Sequence, residues 1–320
     1  MNHHLLVPLD GSSLAECVLP HVIAVAPALD ARVTLLQVLE TPHAESQGQA
    51  IDPLDWHLRK REARAYLDSI VSLLKVKGVE AVPVVLEGPP AESVIEYAGA
   101  SDISLIVLST HGRSGLSEWN VSSIVQKIIA RSYKSSLLVR AGRPIHTDQT
   151  SPYRNFFIGL DGSARAEYIL PLALSLARHH GARLVLGMAI RKPEILQRFP
   201  PTPDDLDLVN RLADRNHREA TRYFKKLQAQ LEVQGIVPHT RLVVSENPTL
   251  ALHDMVEAEN TDLVMLVAHG RTGEIRWPYG SVTTSFIAHS SASLLIMQDF
   301  SENEAREVHS AVASREVGGH

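Results

Sequence analysis

Short, unbroken apolar runs alternate along this chain with longer stretches whose apolar residues recur every three or four positions. The runs Leu5–Leu9, Val33–Leu39, Ala81–Leu86, Ile103–Leu108 and Ser136–Arg140 predict buried strands. Between them, Leu14–Ala26, Pro53–Val76, Ala91–Ala98 and Val121–Arg131 predict helices. The second of these puts Tyr66, Leu67, Ile70, Val71 and Leu74 on one face, and Gly78 stops it. The order then starts again. Strands are expected at Phe156–Leu160, Arg183–Ala189, His239–Val244, Leu263–Val267 and Ser293–Met297. A long helix over Pro203–Gln234 carries Leu212, Tyr223, Leu227 and Leu231 and ends at Gly235. Continuous apolar strands alternating with helices indicate an α/β fold, a parallel sheet covered on both faces.

Two landmarks show that the order is a true repeat. Leu9-Asp10-Gly11-Ser12, with Ala15-Glu16 and Leu19-Pro20 behind it, returns as Leu160-Asp161-Gly162-Ser163, Ala166-Glu167 and Leu170-Pro171. His111-Gly112-Arg113-Ser114-Gly115 returns as His269-Gly270-Arg271-Thr272-Gly273. The shift is 151 residues at the first landmark and 158 at the second, so the copies differ by a short insertion between the landmarks. The reading is two domains, 1–141 and 152–300, each able to bury its own core. A polar linker, 142–151, joins them, and a charged tail, 301–320, follows. The polar loop 41–52 is expected to be mobile.

Bulk composition narrows the function classes. The chain has 320 residues, 44% hydrophobic and 21% charged, with net charge −5. No long basic run is present, which argues against a nucleic-acid partner. No run is long enough for a membrane span. The start runs directly into a strand, so no signal peptide is expected. With the single Cys17 in a predicted helix, this leads to a cytoplasmic expectation.

Both landmarks lie at carboxyl ends of predicted strands, where open α/β sheets bind ligands. Asp10 and Asp161 have two readings: a carboxylate that favours helix entry, with Ser12 or Ser163 as cap, or one that orients a ligand hydroxyl or a metal. The second landmark is a glycine loop followed by Ser122-Ser123 or Gly280-Ser281 at a helix start. Glycine admits positive φ and close approach, and a free helix N-terminus with a serine hydroxyl suits phosphate, to which Arg113 and Arg271 would add charge. The alternative is a tight turn with a serine cap. Trp119 and Trp277 fall at equal places and read as packing. His111 and His269 read first as hydrogen-bonding loop residues. No phosphate loop with its lysine, no dinucleotide glycine fingerprint, no HExxH, no GxSxG and no nucleophile–base pair is found.

These residues resemble the universal stress protein family in its tandem form. The carriers are Val7-Pro8-Leu9-Asp10-Gly11-Ser12, Glu87-Gly88-Pro89-Pro90-Ala91-Glu92, and Asp102–Leu108 running into Ser109-Thr110-His111-Gly112-Arg113-Ser114-Gly115. The resemblance implies two Rossmann-like domains of the adenine nucleotide α-hydrolase-like type, each a five-stranded parallel sheet of order 3-2-1-4-5. It implies pairing through the fifth strands, within a chain or in a homodimer. One branch of the family binds ATP through G-x2-G-x9-G-(S/T). Copy two matches with Gly270, Gly280 and Ser281, and Val267 stands at the first glycine. Copy one keeps Gly112 and Ser123, with Ser109 and Ser122 in place of glycines, and serine tolerates positive φ less well.

The resemblance thus implies a preferred nucleotide site of Gly159, Asp161, Ala189, Val267, Gly270, Arg271, Gly273, Gly280, Ser281 and Val282. A weaker one comprises Pro8, Asp10, Val38, Ser109, Gly112, Arg113, Gly115, Ser122, Ser123 and Ile124. Val38 and Ala189 would meet adenine through backbone atoms, and Mg²⁺ would arrive with ATP near Asp10 or Asp161. The function adopted is an ATP-binding stress-response switch without substantial catalysis, acting on unidentified protein partners. A nucleotide-independent scaffold is the first alternative. The resemblance disfavours an enzyme of the wider adenine nucleotide α-hydrolase-like group, such as an ATP pyrophosphatase, because Asp10-Gly11-Ser12 stands where those enzymes carry a glycine-rich phosphate loop; slow ATP hydrolysis is the last alternative.

Overall fold

The computed structural model describes residues 3–40, 52–112, 121–141, 153–193, 202–271 and 278–299. The expected linker 142–151, the tail 301–320 and loop residues 41–51 lie outside them. The first half runs β1 (His4–Pro8), α1 (Leu19–Ala28), β2 (Arg32–Leu39), α2 (Pro53–Val76), β3 (Ala81–Glu87), α3 (Pro90–Ala100), β4 (Leu105–Ser109), α4 (Ser123–Ser132) and β5 (Ser135–Val139). The second runs β6 (Asn155–Gly159), α5 (Ala164–Glu167), α6 (Leu170–His180), β7 (Arg183–Arg191), α7 (Pro203–Val233), β8 (His239–Ser245), α8 (Pro248–Ala258), β9 (Leu263–Val267), α9 (Ser281–His289) and β10 (Ser293–Met297). Among the described residues no helix is long and apolar enough to cross a membrane.

The ten strands form one sheet of order β3-β2-β1-β4-β5-β10-β9-β6-β7-β8. Pairing is parallel inside each half, in the 3-2-1-4-5 order. At the seam it is antiparallel, with Leu137 facing Leu295 and Leu138 facing Leu294. The fifth strands therefore pair within one chain. The apolar packing is continuous across that seam. Leu5, Val7, Phe156 and Ile158 share one apolar cluster, and Leu6, Leu36, Phe157 and Val264 share the other. Side chains alternate across a strand, so each sheet face has one core, and it runs through the seam.

Local chemistry accounts for where the helices differ from expectation. The helix expected over Leu14–Ala26 is a 3₁₀ turn, Ala15–Val18, followed by α1. In the second half the same stretch is α5 followed by α6. Pro20 and Pro171 sit in the first turn of α1 and α6, where a missing N–H costs nothing but a fresh helix start is favoured. On α7, Thr202 and Asp205 form a reciprocal capping box, and Ala220, Phe224, Leu227 and Leu231 are buried. Leu212, expected on that face, is exposed, because α7 packs only along its second half.

Away from the seam strands, α1 and α6 touch, and the Ser175 hydroxyl donates to the Ala28 carbonyl at 3.1 Å. Beside them, His21 Nδ1 lies 2.7 Å from the hydroxyl of fully buried Tyr153. Burial pulls the His21 imidazole down to about 4. Its folded pKa lies below the unfolded value of 6.5, so the unfolded chain takes up a proton first as pH falls. Stability is fully present above pH 6.5 and drains away between there and about pH 4, by roughly 3 kcal/mol in total. Urea midpoints measured across that range are expected to show the slope, and His21→Phe to flatten it. An unchanged slope in the variant assigns the effect to other groups.

Candidate functional site

Each half ends its strands in a cleft, at the carboxyl end of the sheet. The second-half cleft has a volume of about 720 Å³, and the first-half cleft about 1120 Å³. Their walls begin with the first landmark. Asp161 follows β6, and its Oδ1 accepts from the Ser163 amide at 2.9 Å and hydroxyl at 2.6 Å. Ser163 Oγ in turn accepts from the Ala166 amide at 3.1 Å, which caps α5. Asp10 and Ser12 repeat these contacts at 2.9 and 2.6 Å, and Ser12 accepts from the Ala15 amide at 3.1 Å. Gly11 and Gly162 hold φ of 79° and 77° at these turns, a backbone state that favours glycine.

The helix-entry reading of the aspartates is thus what the structure shows, and a further duty comes with it. Asp161 Oδ2 accepts from the Arg271 amide at 2.5 Å, tying the first landmark to the second. A Cβ added at Gly270 would sit 2.5 Å from that oxygen, and one at Gly112 would overlap the Asp10 carboxylate. Close approach is therefore why these loops carry glycine. The expectation of positive φ fails here: Gly112, Gly270 and Gly280 all have ordinary φ, with Gly280 at −70° beside −57° for Ser122. Serine in place of glycine at 122 is not a strained substitution.

What does separate the copies is the head of the last helix. Ser122 caps α4, its hydroxyl accepting from the Val125 amide at 3.3 Å. Gly280 has no side chain to offer, and α9 has no side-chain cap. Every α-helix leaves its first amides without an intrahelical acceptor. In α9 these belong to Ser281, Val282 and Thr283, all of which line the cleft.

The second-half cleft brings together most of the residues expected there. Gly159 and Asp161 come from the end of β6, and Ala189 from β7. Val267, Gly270 and Arg271 come from the end of β9, and Gly280, Ser281 and Val282 from the head of α9. The first-half cleft collects Pro8, Asp10, Val38, Ser109, Gly112, Ser122 and Ile124. Ser123 opens α4 without lining it. The Ser109 hydroxyl faces inward, 3.0 Å from the Leu14 carbonyl and 2.7 Å from that of His111. The Val267 carbonyl accepts from the Thr283 hydroxyl at 3.0 Å. Arg113, Gly115, Trp119, Gly273 and Trp277 lie outside the described residues.

Several contributors were not visible in the motifs. Buried His269 places Nδ1 2.8 Å from Asp299 Oδ1, and Arg165 Nε lies 3.0 Å from Asp299 Oδ2. This fixes the imidazole as a loop anchor, in line with the hydrogen-bonding role expected of it. Tyr223, from α7, walls the cleft, and burial together with the Glu167 carboxylate holds its phenol protonated. Tyr279, beside Gly280, reaches out of its own half, its hydroxyl donating to the Ile129 carbonyl of α4 at 2.7 Å. Among the described residues, no three of His, Cys, Asp or Glu cluster so as to hold a metal ion.

With this geometry in view, likeness to known proteins is informative. The family model described as "Universal stress protein family" matches residues 1–140 and again 152–298. Universal stress protein MJ0531 of Methanocaldococcus jannaschii is 27% identical over 137 residues, covering 42% of this chain and 81% of that protein. A crystal structure of a universal stress protein from Archaeoglobus fulgidus superposes with a TM-score of 0.65 at 15% identity, covering 93% of this chain and 98% of that one. A putative universal stress protein from Pseudomonas aeruginosa gives 0.67 at 12% identity, covering 98% of each. At such identities the two structures speak for the fold alone.

Proposed function

The chain belongs to the universal stress protein family, and from that premise we propose that its second-half cleft binds ATP and that the protein acts as a nucleotide-dependent switch. One observation carries the reading: the uncapped N-terminus of α9 opens into the cleft beside Arg271. Unpaired helix-head amides and a guanidinium suit phosphate. Arg191 lines the same cleft and adds positive charge. The end of β7 at Ala189 lies across the cleft, where main-chain groups suit an adenine edge. The cleft volume is in the range of small-ligand sites.

Catalysis has little support in these residues. Asp161 is committed to Ser163 and Arg271, and His269 to Asp299. Mg²⁺ would come with the nucleotide rather than wait in a protein cage. The scaffold alternative draws on the seam, since β5 and β10 complete the sheet by backbone bonds that need no ligand. That same seam uses up the fifth strands, so a homodimer would have to form elsewhere.

Calorimetry on nucleotide-stripped protein with Mg²⁺ decides between them. About one ATP per chain is expected, and the melting temperature should rise with ATP concentration. No heat and no thermal shift would leave the scaffold reading in possession.

A further inference from the structure

The two clefts descend from one plan but differ where a ligand would be read. One residue before Val38, β2 carries Gln37, and the matching position of β7, one before Ala189, carries Met188. Both line their clefts. Gln37 is 7% exposed, and its amide makes no hydrogen bond to any described residue, with Oε1 wholly buried. Leaving such a group unmatched is unfavourable, and native interiors seldom do so without a reason. The last torsion of glutamine is broad, so rotation can present either amide atom to the cleft.

A second unmatched group borders the same space. His111 is 8% exposed, holds Nδ1 3.0 Å from the Thr110 hydroxyl, and leaves Nε2 buried without a partner. Its counterpart, His269, is anchored by Asp299.

The phosphate end differs in the opposite sense. Ser122 already occupies one of the α4 head amides. Among the described lining residues, Asp10, Glu40 and Glu62 face a single guanidinium, Arg59. The second cleft sets Arg191 and Arg271 against Asp161 and Glu219. Among these described residues the charge balance suits a polyanion less well in the first cleft than in the second, while the hydrogen-bonding capacity near the end of β2 is in surplus.

We propose that the first-half cleft is a separate site for an uncharged nucleoside, recognised through the unmatched Gln37 amide and His111 Nε2. The choice of a nucleoside rests on the nucleotide reading of the matching second cleft. Specificity follows from the same groups: a ligand that satisfies a buried amide is favoured over one that leaves it unmatched.

Adenosine and MgATP, titrated by calorimetry into the full chain and into Gln37→Met, test this. Methionine already occupies the matching place in the other half, and equal melting curves would show that the variant folds. With the second cleft saturated by MgATP, wild-type protein is expected to bind one further adenosine. Gln37→Met should weaken adenosine about tenfold and leave ATP affinity within about twofold. The proposal is overturned if adenosine does not bind, if ATP fills both clefts, or if Gln37→Met binds adenosine as wild type does. If adenosine binds and depends on Gln37 while ATP does not bind at all, the ATP reading of the second cleft falls and this site stands.

Discussion

Gly270→Ala is expected to lower the affinity of the second-half cleft for ATP by about 30-fold, or 2 kcal/mol. The new Cβ would lie 2.5 Å from Asp161 Oδ2. That oxygen cannot simply move aside, because the carboxylate is held by the Ser163 amide, the Ser163 hydroxyl and the Arg271 amide. The loop must shift instead, breaking the bond to the Arg271 amide and carrying its guanidinium off the proposed phosphate position. A comparable loss of stability, about 2 kcal/mol, should accompany it. Gly280→Ala is the control. Its φ is ordinary, and its Cβ would meet nothing closer than the Ala268 carbonyl at 3.5 Å. Calorimetry with MgATP and urea unfolding measure both variants. Wild-type affinity in Gly270→Ala would remove the carboxylate clamp from the argument.

That contrast shows how the sequence could be read and where it fell short. The repeat, the strand ends and the loops were legible because each is written in consecutive residues. Leu263–Val267 is a five-residue apolar run, and a strand formed there with those bounds. The reason for glycine at 270 was not legible, since it depends on a carboxylate 109 positions earlier. The pair Leu19-Pro20 did contain the signal for a helix restart, and an unbroken apolar stretch masked it. Asp299 and Arg165 carry no motif, and they matter only because β9, β10 and α5 end at one place. Gln37 looked like an ordinary strand residue. Its interest arises from an absence of partners that only packing can reveal.

Arg140 belongs with these long-range surprises, and its removal should have the largest effect on stability of any single surface-distant contact at the seam. It follows β5 in the first half, and its Nη2 donates to the carbonyls of Phe286 at 2.9 Å and Ile287 at 2.7 Å in the second. Those carbonyls lie in the last two turns of α9, where a cation also meets the negative end of the helix dipole. Burial lowers the Arg140 pKa only to about 10, so the guanidinium stays charged at neutral pH. Arg140→Ala removes a charged donor from both carbonyls, of which that of Phe286 keeps the Ser290 amide at 3.0 Å, and about 2 kcal/mol of unfolding free energy should be lost.

The consequence should reach the ligand. The far end of α9 lines the second cleft where phosphate is proposed to bind, so a helix released at its C-terminus presents its head amides less well. An ATP affinity about fivefold weaker is expected, although Arg140 lies in the other half and outside the cleft. Tyr279→Phe separates the two effects. It removes the bond to the Ile129 carbonyl while leaving Arg140 in place, and should cost about 1 kcal/mol. If Arg140→Ala unfolds like wild type, the seam is held by β5–β10 pairing and apolar packing alone. If it is destabilised but binds ATP normally, α9 keeps its position without the grip, and the two halves are joined mechanically without sharing their sites.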